Sequence, residues 1–503
     1  MTRTVNTLFW TLVSILALRL GLSALLPMAD TTEPRYAEIA RVMATSGDWI
    51  TPWFDAGVPF WGKPPFSFWC QALSFKLFGF NEFAARLPSW LANVGIVYLV
   101  YATRVALHPE KASDSAQRAG LWAALIYATM ALGFVSAGTV MTDSFLALGT
   151  TMILTGLIVR LQGGSERWAW LFFLGLVIGL LAKGPVAVVL TGAPVFFWAL
   201  LSRQWQRLWQ CLPWVRGTLA MLVLVLPWYI LAELKTPGFL DYFIVGEHIK
   251  RFLVSNWQGD LYGDAHDFPR GTIWLYLVLA SFPWGLIALG GWIKKQWRRN
   301  GDQNQWLTRT RGVTGLVIGA ALTPALFFTL AGNILWTYVL PGLPFLAVLV
   351  SNLLPREPAR TGRNLVVASI LAAPVLCAGA TLWLSLHPDD LKTEKAMIER
   401  SRARSDLANH PLVYLDKPPF SARFYGEGEV QSIPSETLNE KLASGTLERP
   451  MLLAVPKNDR TLRQKLDARA EQIDHNRRYI LFRIPVNSKS TVTTQSSKGA
   501  DNA

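Results

Sequence analysis

DTTEPRYAEIARVMATSGDWITPWFDAGVPFWGKPPFSFW (residues 30–69) follows the first apolar run of the chain and precedes the second. It carries Asp30, Glu33 and Arg35 near its start and Lys63 in a Gly-Lys-Pro-Pro turn. Opposite charges gathered at a membrane surface are costly unless they meet a charged partner there. We therefore expect this stretch to form an outer surface that binds an anionic lipid head group.

Two short helices are predicted within the same outer loop, residues 29–83. The first places Tyr36, Ile39, Ala40 and Met43 on one apolar face, and the second begins after Pro65 with the same spacing of apolar residues. Both helices are expected to lie along the membrane interface.

The composition indicates a polytopic membrane protein. Of 503 residues, 51% are hydrophobic, 16% are charged and 22 are Trp. We predict a mainly α-helical, transmembrane bundle of about eleven spans, roughly at residues 7–27, 84–107, 120–140, 144–161, 168–182, 185–201, 217–234, 272–293, 313–331, 335–353 and 365–387. The first span carries Arg19 and lacks a small-residue cleavage site, so it is expected to be retained.

The distribution of charge predicts the orientation. Lys and Arg are concentrated in the loops that lie on the same side as Met1, which the positive-inside rule assigns to the cytoplasm. The net charge of +14 is explained largely by this asymmetry, and nucleic-acid binding is not favoured. The three cysteines, Cys70, Cys211 and Cys377, show neither metal-ligand spacing nor a disulfide framework.

Three regions follow from the pattern. Residues 1–387 form the membrane domain, with a second long outer loop at 235–271. Residues 388–486 are predicted to form a small soluble α/β domain on the outer, periplasmic side, and 487–503 a disordered tail. The predicted strands are Leu412–Leu415, Ser421–Tyr425, Met451–Val455 and Arg478–Ile484, and the predicted helices are Ser435–Ala443 and Thr461–Ile473.

Several segments of the membrane half, taken in order, resemble one family. They are RYAEIARVMATSGDWITP, GKPPFSFW, LFGFNEFAAR, the Thr-Asp pair ending at Asp143, AKGP, EHIKRF and WTYVLP. The chain resembles the bacterial membrane glycosyltransferases of the GT-C fold superfamily that use polyprenyl-phosphate-linked sugars, in particular the aminoarabinose transferases that act on lipid A. It is more distantly similar to the protein O-mannosyltransferases.

The resemblance implies an active site at the outer membrane surface and a role for each matching residue. The lipid phosphate would be bound by Arg35, Lys63, Lys183, Arg251 and Tyr338. The candidate catalytic groups are Asp30, Glu33, Asp143 and His248. Asp30 or Glu33 is the preferred base or acceptor-positioning carboxylate. Asp30 could instead cap the helix that begins near Pro34.

Two positions depart from the family pattern. The lipid A relatives have Asp directly before the Glu of the signature, where this chain has Thr32. They also have Glu, which resembles a zinc ligand, where this chain has Gly62. No cofactor is therefore assigned, and a divalent metal is doubtful because His248 and His266 are only weak ligand candidates.

The predicted function is transfer of one sugar from undecaprenyl phosphate to an envelope acceptor such as lipid A, at the periplasmic face of the bacterial inner membrane. The alternative within the enzyme class is a protein O-glycosyltransferase. A transporter or flippase for a lipid-linked anion is less favoured, because we find no internal repeat and few ionisable residues near the middle of the predicted spans.

Overall fold

The computed structural model describes residues 2–263, 268–297, 312–353, 360–444, 450–467 and 470–485. It is mainly helical. In the membrane half the helices are Arg3–Leu25, Thr32–Ser46, Phe66–Phe78, Glu82–Ala106, Asp114–Thr129, Ala131–Ser136, Asp143–Leu161, Arg167–Lys183, Val186–Leu201, Trp205–Cys211, Trp214–Lys235, Asp241–Lys250 (a π-helix), Arg251–Leu253, Thr272–Ala280, Trp284–Trp297, Val313–Phe328, Trp336–Gly342 (3₁₀), Leu343–Ser351 and Arg360–Leu386. The predicted tail at 487–503 lies outside the described residues.

Five described helices are long and apolar enough to cross a membrane. They are Arg3–Leu25, Glu82–Ala106, Asp143–Leu161, Trp214–Lys235 and Thr361–Leu386, and shorter apolar helices accompany them. The chain is thus a multi-pass membrane protein.

Three stretches predicted as single spans are broken. The helix Asp114–Thr129 ends before Met130, whose backbone is extended (φ −63°, ψ 139°), and a short helix follows. Thr272–Ala280 and Trp284–Gly291 meet at 104° around Pro283. In the third stretch, a 3₁₀ segment containing Pro341 precedes Leu343–Ser351. Proline has no N–H to donate and disfavours the helical conformation of the residue before it, which explains the last two breaks.

A hairpin of two tightly packed helices, Asp143–Leu161 and Arg167–Lys183, lies in the membrane core. An added Cβ on Gly149 would come within 2.8 Å of the Gly179 backbone nitrogen, and one on Gly175 within 2.6 Å of the Gly149 carbonyl oxygen. Glycine at these positions lets the two backbones approach closely. Because Asp143 begins the first helix and Lys183 ends the second, the hairpin brings these two charges to the same end.

Two buried arginines satisfy helix carbonyls. Arg19 donates to the Phe134 and Val135 carbonyl oxygens at 2.7 and 2.9 Å, and Arg86 donates to the Ser23 carbonyl oxygen at 2.9 Å. The last carbonyl groups of a helix have no N–H partner within that helix. Hydrogen bonds from a buried arginine satisfy these carbonyl groups where an apolar core excludes water.

The first outer loop has both predicted helices, Thr32–Ser46 and Phe66–Phe78, joined through the short antiparallel strands β1 (Trp53–Asp55) and β2 (Val58–Pro59). The apolar face of the first helix is buried as expected. On this helix Glu38 and Arg41 form a two-bonded ion pair at 2.7 Å, and both residues are buried.

A second compact unit comprises Met28–Pro34 and the described residues between 387 and 485. It contains a five-stranded sheet ordered β4-β3-β5-β7-β6, in which β4-β3 and β3-β5 are parallel and the other pairs antiparallel. Its strands are β3 (Leu412–Leu415), β4 (Gln431–Ile433), β5 (Met451–Pro456), β6 (Glu471–His475) and β7 (Tyr479–Ile484), and its helices are Pro388–Asp390 (3₁₀), Lys395–Ala403, Phe420–Tyr425, Ser435–Ser444 and Arg460–Asp467.

Two predictions for this unit are wrong. The predicted strand Ser421–Tyr425 is a helix, Phe420–Tyr425, in which the backbone of Arg423 bonds back to Pro419. The predicted helix Thr461–Ile473 ends at Asp467, and β6 begins at Glu471. In the second case the pairing of β6 with β7 outweighs the local helix propensity of residues 471–473.

Candidate functional site

Lys183 is held at the end of the membrane hairpin by an ion pair. Its Nζ lies 2.6 Å from Asp143 Oδ1 and 4.8 Å from the centre of the Tyr338 ring. Both partners were predicted site residues, and the hairpin explains how they meet. The carboxylate and the aromatic face stabilise the ammonium group in a buried place.

Glu247 is the centre of a second charged cluster. Its carboxylate lies 2.9 Å from Lys63 Nζ and 3.0 Å from Arg251 Nη1, and Arg251 also contacts Asp260 Oδ2 at 3.2 Å. Burial alone would raise the pKa of Glu247, but the charges of Lys63 and Arg251 outweigh it and lower the pKa to about 2. Glu247 is therefore ionised and holds two cations in fixed positions.

A cavity of about 180 Å³ joins these two clusters. Five of the predicted residues line it, namely Lys63, Lys183, His248, Arg251 and Tyr338. Its apolar wall consists of Leu146, Pro185, Val186, Val189, Phe252, Phe327 and Phe328. A cavity lined both by several cations and by apolar side chains suits an anionic head group attached to a hydrocarbon chain.

His248 occupies the cavity wall with both ring nitrogens near backbone oxygens. Nδ1 lies 2.7 Å from the Phe243 carbonyl oxygen and Nε2 lies 3.1 Å from that of Lys183. Burial lowers the pKa of His248, although the two carbonyl groups favour protonation. The ring therefore links the π-helix to the end of the hairpin.

The described residues of this site do not fit a zinc ion. Gly62 offers no side chain, and the His248 nitrogens are both directed at carbonyl groups. Within the described ranges there is no group of three His, Cys, Asp or Glu side chains that could hold a metal. His266, the other weak candidate, lies outside the described residues.

Arg35 and Asp30 are bound elsewhere. Arg35 Nη1 donates to the Tyr262 carbonyl oxygen at 2.6 Å, and Arg35 is not among the cavity-lining residues. Within the second unit, Asp30 accepts from the Ser421 backbone N–H at 2.9 Å and from Arg478 Nη2 at 2.6 Å. Its carboxylate is 6% exposed, so the structure gives Asp30 a structural contact that the sequence did not predict.

Glu33 lies in the first turn of the helix Thr32–Ser46 and is half-buried. An acidic side chain there is favourable because it faces the positive end of the helix dipole. Its role as a base stays a prediction.

Two cavity residues were missed as candidates from the sequence. Glu247 precedes His248 in a matched segment, but nothing in its spacing reveals that it meets Lys63, 184 residues away. Asn333 lines the same cavity and belongs to the short stretch Gly332-Asn333-Ile334 between two apolar runs of the sequence. The signal available was that both are polar residues in loops on the side of the membrane where the charged motifs collect.

Comparison with known proteins gives consistent matches. A family model described as dolichyl-phosphate-mannose-protein mannosyltransferase matches residues 3–243. The undecaprenyl phosphate-α-4-amino-4-deoxy-L-arabinose arabinosyl transferase of Edwardsiella ictaluri is 30% identical over 366 residues, 71% of this chain and 61% of the relative. The second such transferase of Pseudomonas fluorescens is 32% identical over 386 residues, 73% of this chain and 60% of the relative.

The crystal structure of ArnT from Cupriavidus metallidurans bound to undecaprenyl phosphate matches with a TM-score of 0.74 and 18% identity, over 96% of this chain and 98% of that one. The resemblance to the GT-C membrane glycosyltransferases is confirmed. An oligosaccharyltransferase from Archaeoglobus fulgidus shares the fold more distantly, with a TM-score of 0.52 and 11% identity over 89% of this chain and 69% of that one. The chain spans about 60% of the length of the curated transferases named above.

Proposed function

We propose that the chain transfers a sugar from undecaprenyl phosphate to an envelope acceptor such as lipid A, at the outer face of the bacterial inner membrane. The observation that carries this proposal is the cavity in which Lys63, Lys183 and Arg251 face an apolar wall. The names of the arabinosyl transferase relatives supply the carrier, undecaprenyl phosphate.

The three cations would bind the phosphate of the carrier. Lys63 and Lys183 each have further N–H donors beyond those used in their ion pairs, and Arg251 has five in all. Because Glu247 and Asp143 already orient these cations, little reorganisation is needed when negative charge develops on the leaving phosphate. Phe252, Phe327 and Phe328 would contact the first isoprenoid units.

The reaction would be a single displacement. An acceptor oxygen attacks the anomeric carbon, the bond from that carbon to the phosphate oxygen breaks, and the lipid phosphate leaves with the electron pair. An acceptor hydroxyl would lose its proton to a carboxylate, whereas an acceptor phosphate is already anionic. We propose Asp143 as this carboxylate because it contacts a cavity lysine; Glu33 and Asp30 remain candidates, and Asp30 would first have to leave Arg478. One displacement inverts the anomeric configuration.

The arrangement in the membrane is part of the proposal. We propose eleven spans, with Met1 in the cytoplasm and the loops 29–83 and 235–271 in the periplasm. The α/β region 388–486 would then also be periplasmic, and 1–387 would form the transferase domain. The excess of Lys and Arg in the opposite loops supports this orientation.

A protein acceptor is the second candidate. The match of residues 3–243 to the dolichyl-phosphate-mannose-protein mannosyltransferase family supports it, because that family is named for transfer to protein. Both candidates use the same donor-binding cations and differ only in what supplies the attacking oxygen.

Mass spectrometry of lipids, lipid A and envelope proteins from cells with and without the gene tests the proposal. We expect loss of one sugar from lipid A and accumulation of the polyprenyl-phosphate sugar in the deletion strain. Loss of a protein glycan with unchanged lipid A would favour the second candidate. Unchanged glycans with altered sidedness of a lipid would refute both and support a transporter.

A further inference from the structure

Asn333 is a buried polar residue in the wall of the cavity. It is 4% exposed, and its Nδ2 donates to the carbonyl oxygens of Arg251 at 2.6 Å and Val254 at 3.2 Å. Its Oδ1 is buried and has no hydrogen-bond partner among the described residues. An amide oxygen without a partner in such a place is unfavourable and calls for an explanation.

The orientation of the amide is fixed by its neighbours. Rotating the group by 180° would direct Oδ1 at two carbonyl oxygens, which is repulsive, so Nδ2 must face the Arg251–Val254 segment. The backbone beside it is also anchored, since the Gly332 N–H donates to the Phe252 carbonyl oxygen at 2.7 Å. Oδ1 is thus held in one place as an acceptor.

A second unpaired atom belongs to the same cavity. Arg251 Nε is buried and, within the described part of the chain, has no acceptor, although Nη1 of the same side chain is ion-paired. Two residues that line the cavity therefore carry buried polar atoms without a partner among the described residues, an acceptor on Asn333 and a donor on Arg251. A ligand that satisfies both must offer an acceptor, such as a phosphate oxygen, and a donor, such as a hydroxyl or amino group.

We infer that Asn333 recognises the sugar of the lipid-linked donor, with Oδ1 accepting a hydrogen bond from a hydroxyl or amino group of that sugar. This inference rests on the proposed function, because it takes the phosphate bound by Arg251 to be that of the carrier. Asn333 would then distinguish undecaprenyl phosphate that bears a sugar from the bare lipid. The bare lipid lacks the hydrogen-bond donor that Asn333 Oδ1 requires. A site with an unpaired acceptor discriminates strongly against a ligand that lacks the matching donor.

The test is binding of two lipids to the full chain in nanodiscs. The probes are bare undecaprenyl phosphate and undecaprenyl phosphate carrying 4-amino-4-deoxy-L-arabinose or mannose. We expect Asn333→Ala to weaken binding of the sugar-bearing lipid about 10-fold, and to change the affinity for the bare lipid less than about twofold. Asn439→Ala, an exposed asparagine in the helix Ser435–Ser444, is the matched control and should change neither.

The ratio of the two affinities separates recognition from structural damage. If Asn333 only anchors the Arg251–Val254 backbone, Asn333→Ala weakens both lipids equally, and the inference is overturned. Asn333→Asp retains an acceptor oxygen and adds a charge that repels both phosphates, so the preference for the sugar-bearing lipid should survive in that variant. If the wild-type chain binds neither lipid, the proposed function itself fails, which is a different result from loss of the preference.

Discussion

At the scale of single residues, the cavity depends on carboxylates that hold cations in place. Glu247 contacts Lys63 and Arg251 at once, and Asp143 contacts Lys183. An ion pair with low exposure is expensive to break from one side, because the remaining charge is left buried without a partner. The positions of Lys63, Lys183 and Arg251 therefore depend on their ion pairs with Glu247 and Asp143.

Replacing Lys63 should strongly reduce sugar transfer. We expect Lys63→Met to reduce transfer at least about 100-fold, since a charged contact to phosphate is lost and Glu247 is left less balanced. The measurement is transfer rate in membranes that contain equal amounts of each variant. Lys76→Met is the control, because Lys76 is an exposed lysine on the helix Phe66–Phe78, and transfer unaffected in Lys63→Met would contradict the proposal.

Glu247→Gln should make the thermal stability of the protein less dependent on pH in the acidic range. Because the pKa of Glu247 is lowered to about 2 in the folded chain from an ordinary value of 4.5, its stabilising effect is present above pH 4.5 and lost as the pH falls towards 2. The variant should melt at a lower temperature than wild type at pH 7, and the difference should shrink below pH 4. Melting curves of the purified protein in detergent measure this, and a constant difference at all pH values would exclude it.

At the scale of secondary-structure elements, the close approach of the helices Asp143–Leu161 and Arg167–Lys183 sets the positions of Lys183, which lines the cavity, and of its ion-pair partner Asp143. The contact depends on glycine, because backbone atoms lie where a side chain would be. The backbone of a packed helix cannot move aside to accommodate an added methyl group as a flexible side chain can.

Adding one methyl group to this contact should be destabilising. Gly175→Ala places a Cβ 2.6 Å from the Gly149 carbonyl oxygen and 2.8 Å from the Ile153 nitrogen, so the helices must separate, at a cost of about 1–3 kcal/mol. Gly192→Ala is the control, since nothing lies within 4 Å of its added Cβ, and it should stabilise by about 1 kcal/mol through helix propensity. Thermal unfolding in detergent compares the two variants. Equal changes in melting temperature for Gly175→Ala and Gly192→Ala would contradict the prediction.

A network in the second unit binds the chain segment around Asp30. Arg478 Nη2 contacts Asp30 at 2.6 Å and Glu394 at 2.8 Å, and Glu394 also accepts from Tyr414 and Asn476. Burial raises the pKa of Glu394, although Arg478 opposes this. Two buried carboxylates thus share one guanidinium group.

Removing that guanidinium should loosen the segment. We expect Arg478→Met to destabilise the unit by about 3 kcal/mol, because Asp30 and Glu394 lose their shared cation. Limited proteolysis near residue 30, together with the melting temperature, reports the change. Arg460→Met, at an exposed arginine of the helix Arg460–Asp467, should leave both unchanged, and equal cleavage of the two variants would contradict the prediction.

At the scale of the whole molecule, the eleven spans that we propose would put the two ends of the sequence on opposite sides of the membrane. In a background in which Cys70, Cys211 and Cys377 are replaced by Ser, we expect a membrane-impermeant thiol reagent to label Gln258→Cys and Asn439→Cys in intact spheroplasts. Lys111→Cys should be labelled only after lysis. Labelling of Lys111→Cys before lysis would reject the proposed orientation.

The sequence predicted much of this architecture because apolar runs and motif order are local signals. Five of the residues singled out from the motifs line one cavity, namely Lys63, Lys183, His248, Arg251 and Tyr338, and their roles stay predictions. The roles of Glu247 and Asp30 were not predictable, since each depends on a partner far along the chain. The helix Phe420–Tyr425 was mistaken for a strand because the segment is short and its apolar and aromatic residues show no clear period.

The contact between Asp30 and Arg478 joins residues 448 positions apart in the sequence. During synthesis on the ribosome, Asp30 is made early, while Ser421 and Arg478 are made among the last residues described. The segment at Met28–Pro34 therefore has no Arg478 to contact until the ribosome has added 448 further residues after Asp30. A chain released before Arg478 would keep its apolar spans but leave Asp30 without its cation, so premature termination should give a membrane-inserted product that quality-control proteases recognise near its first loop.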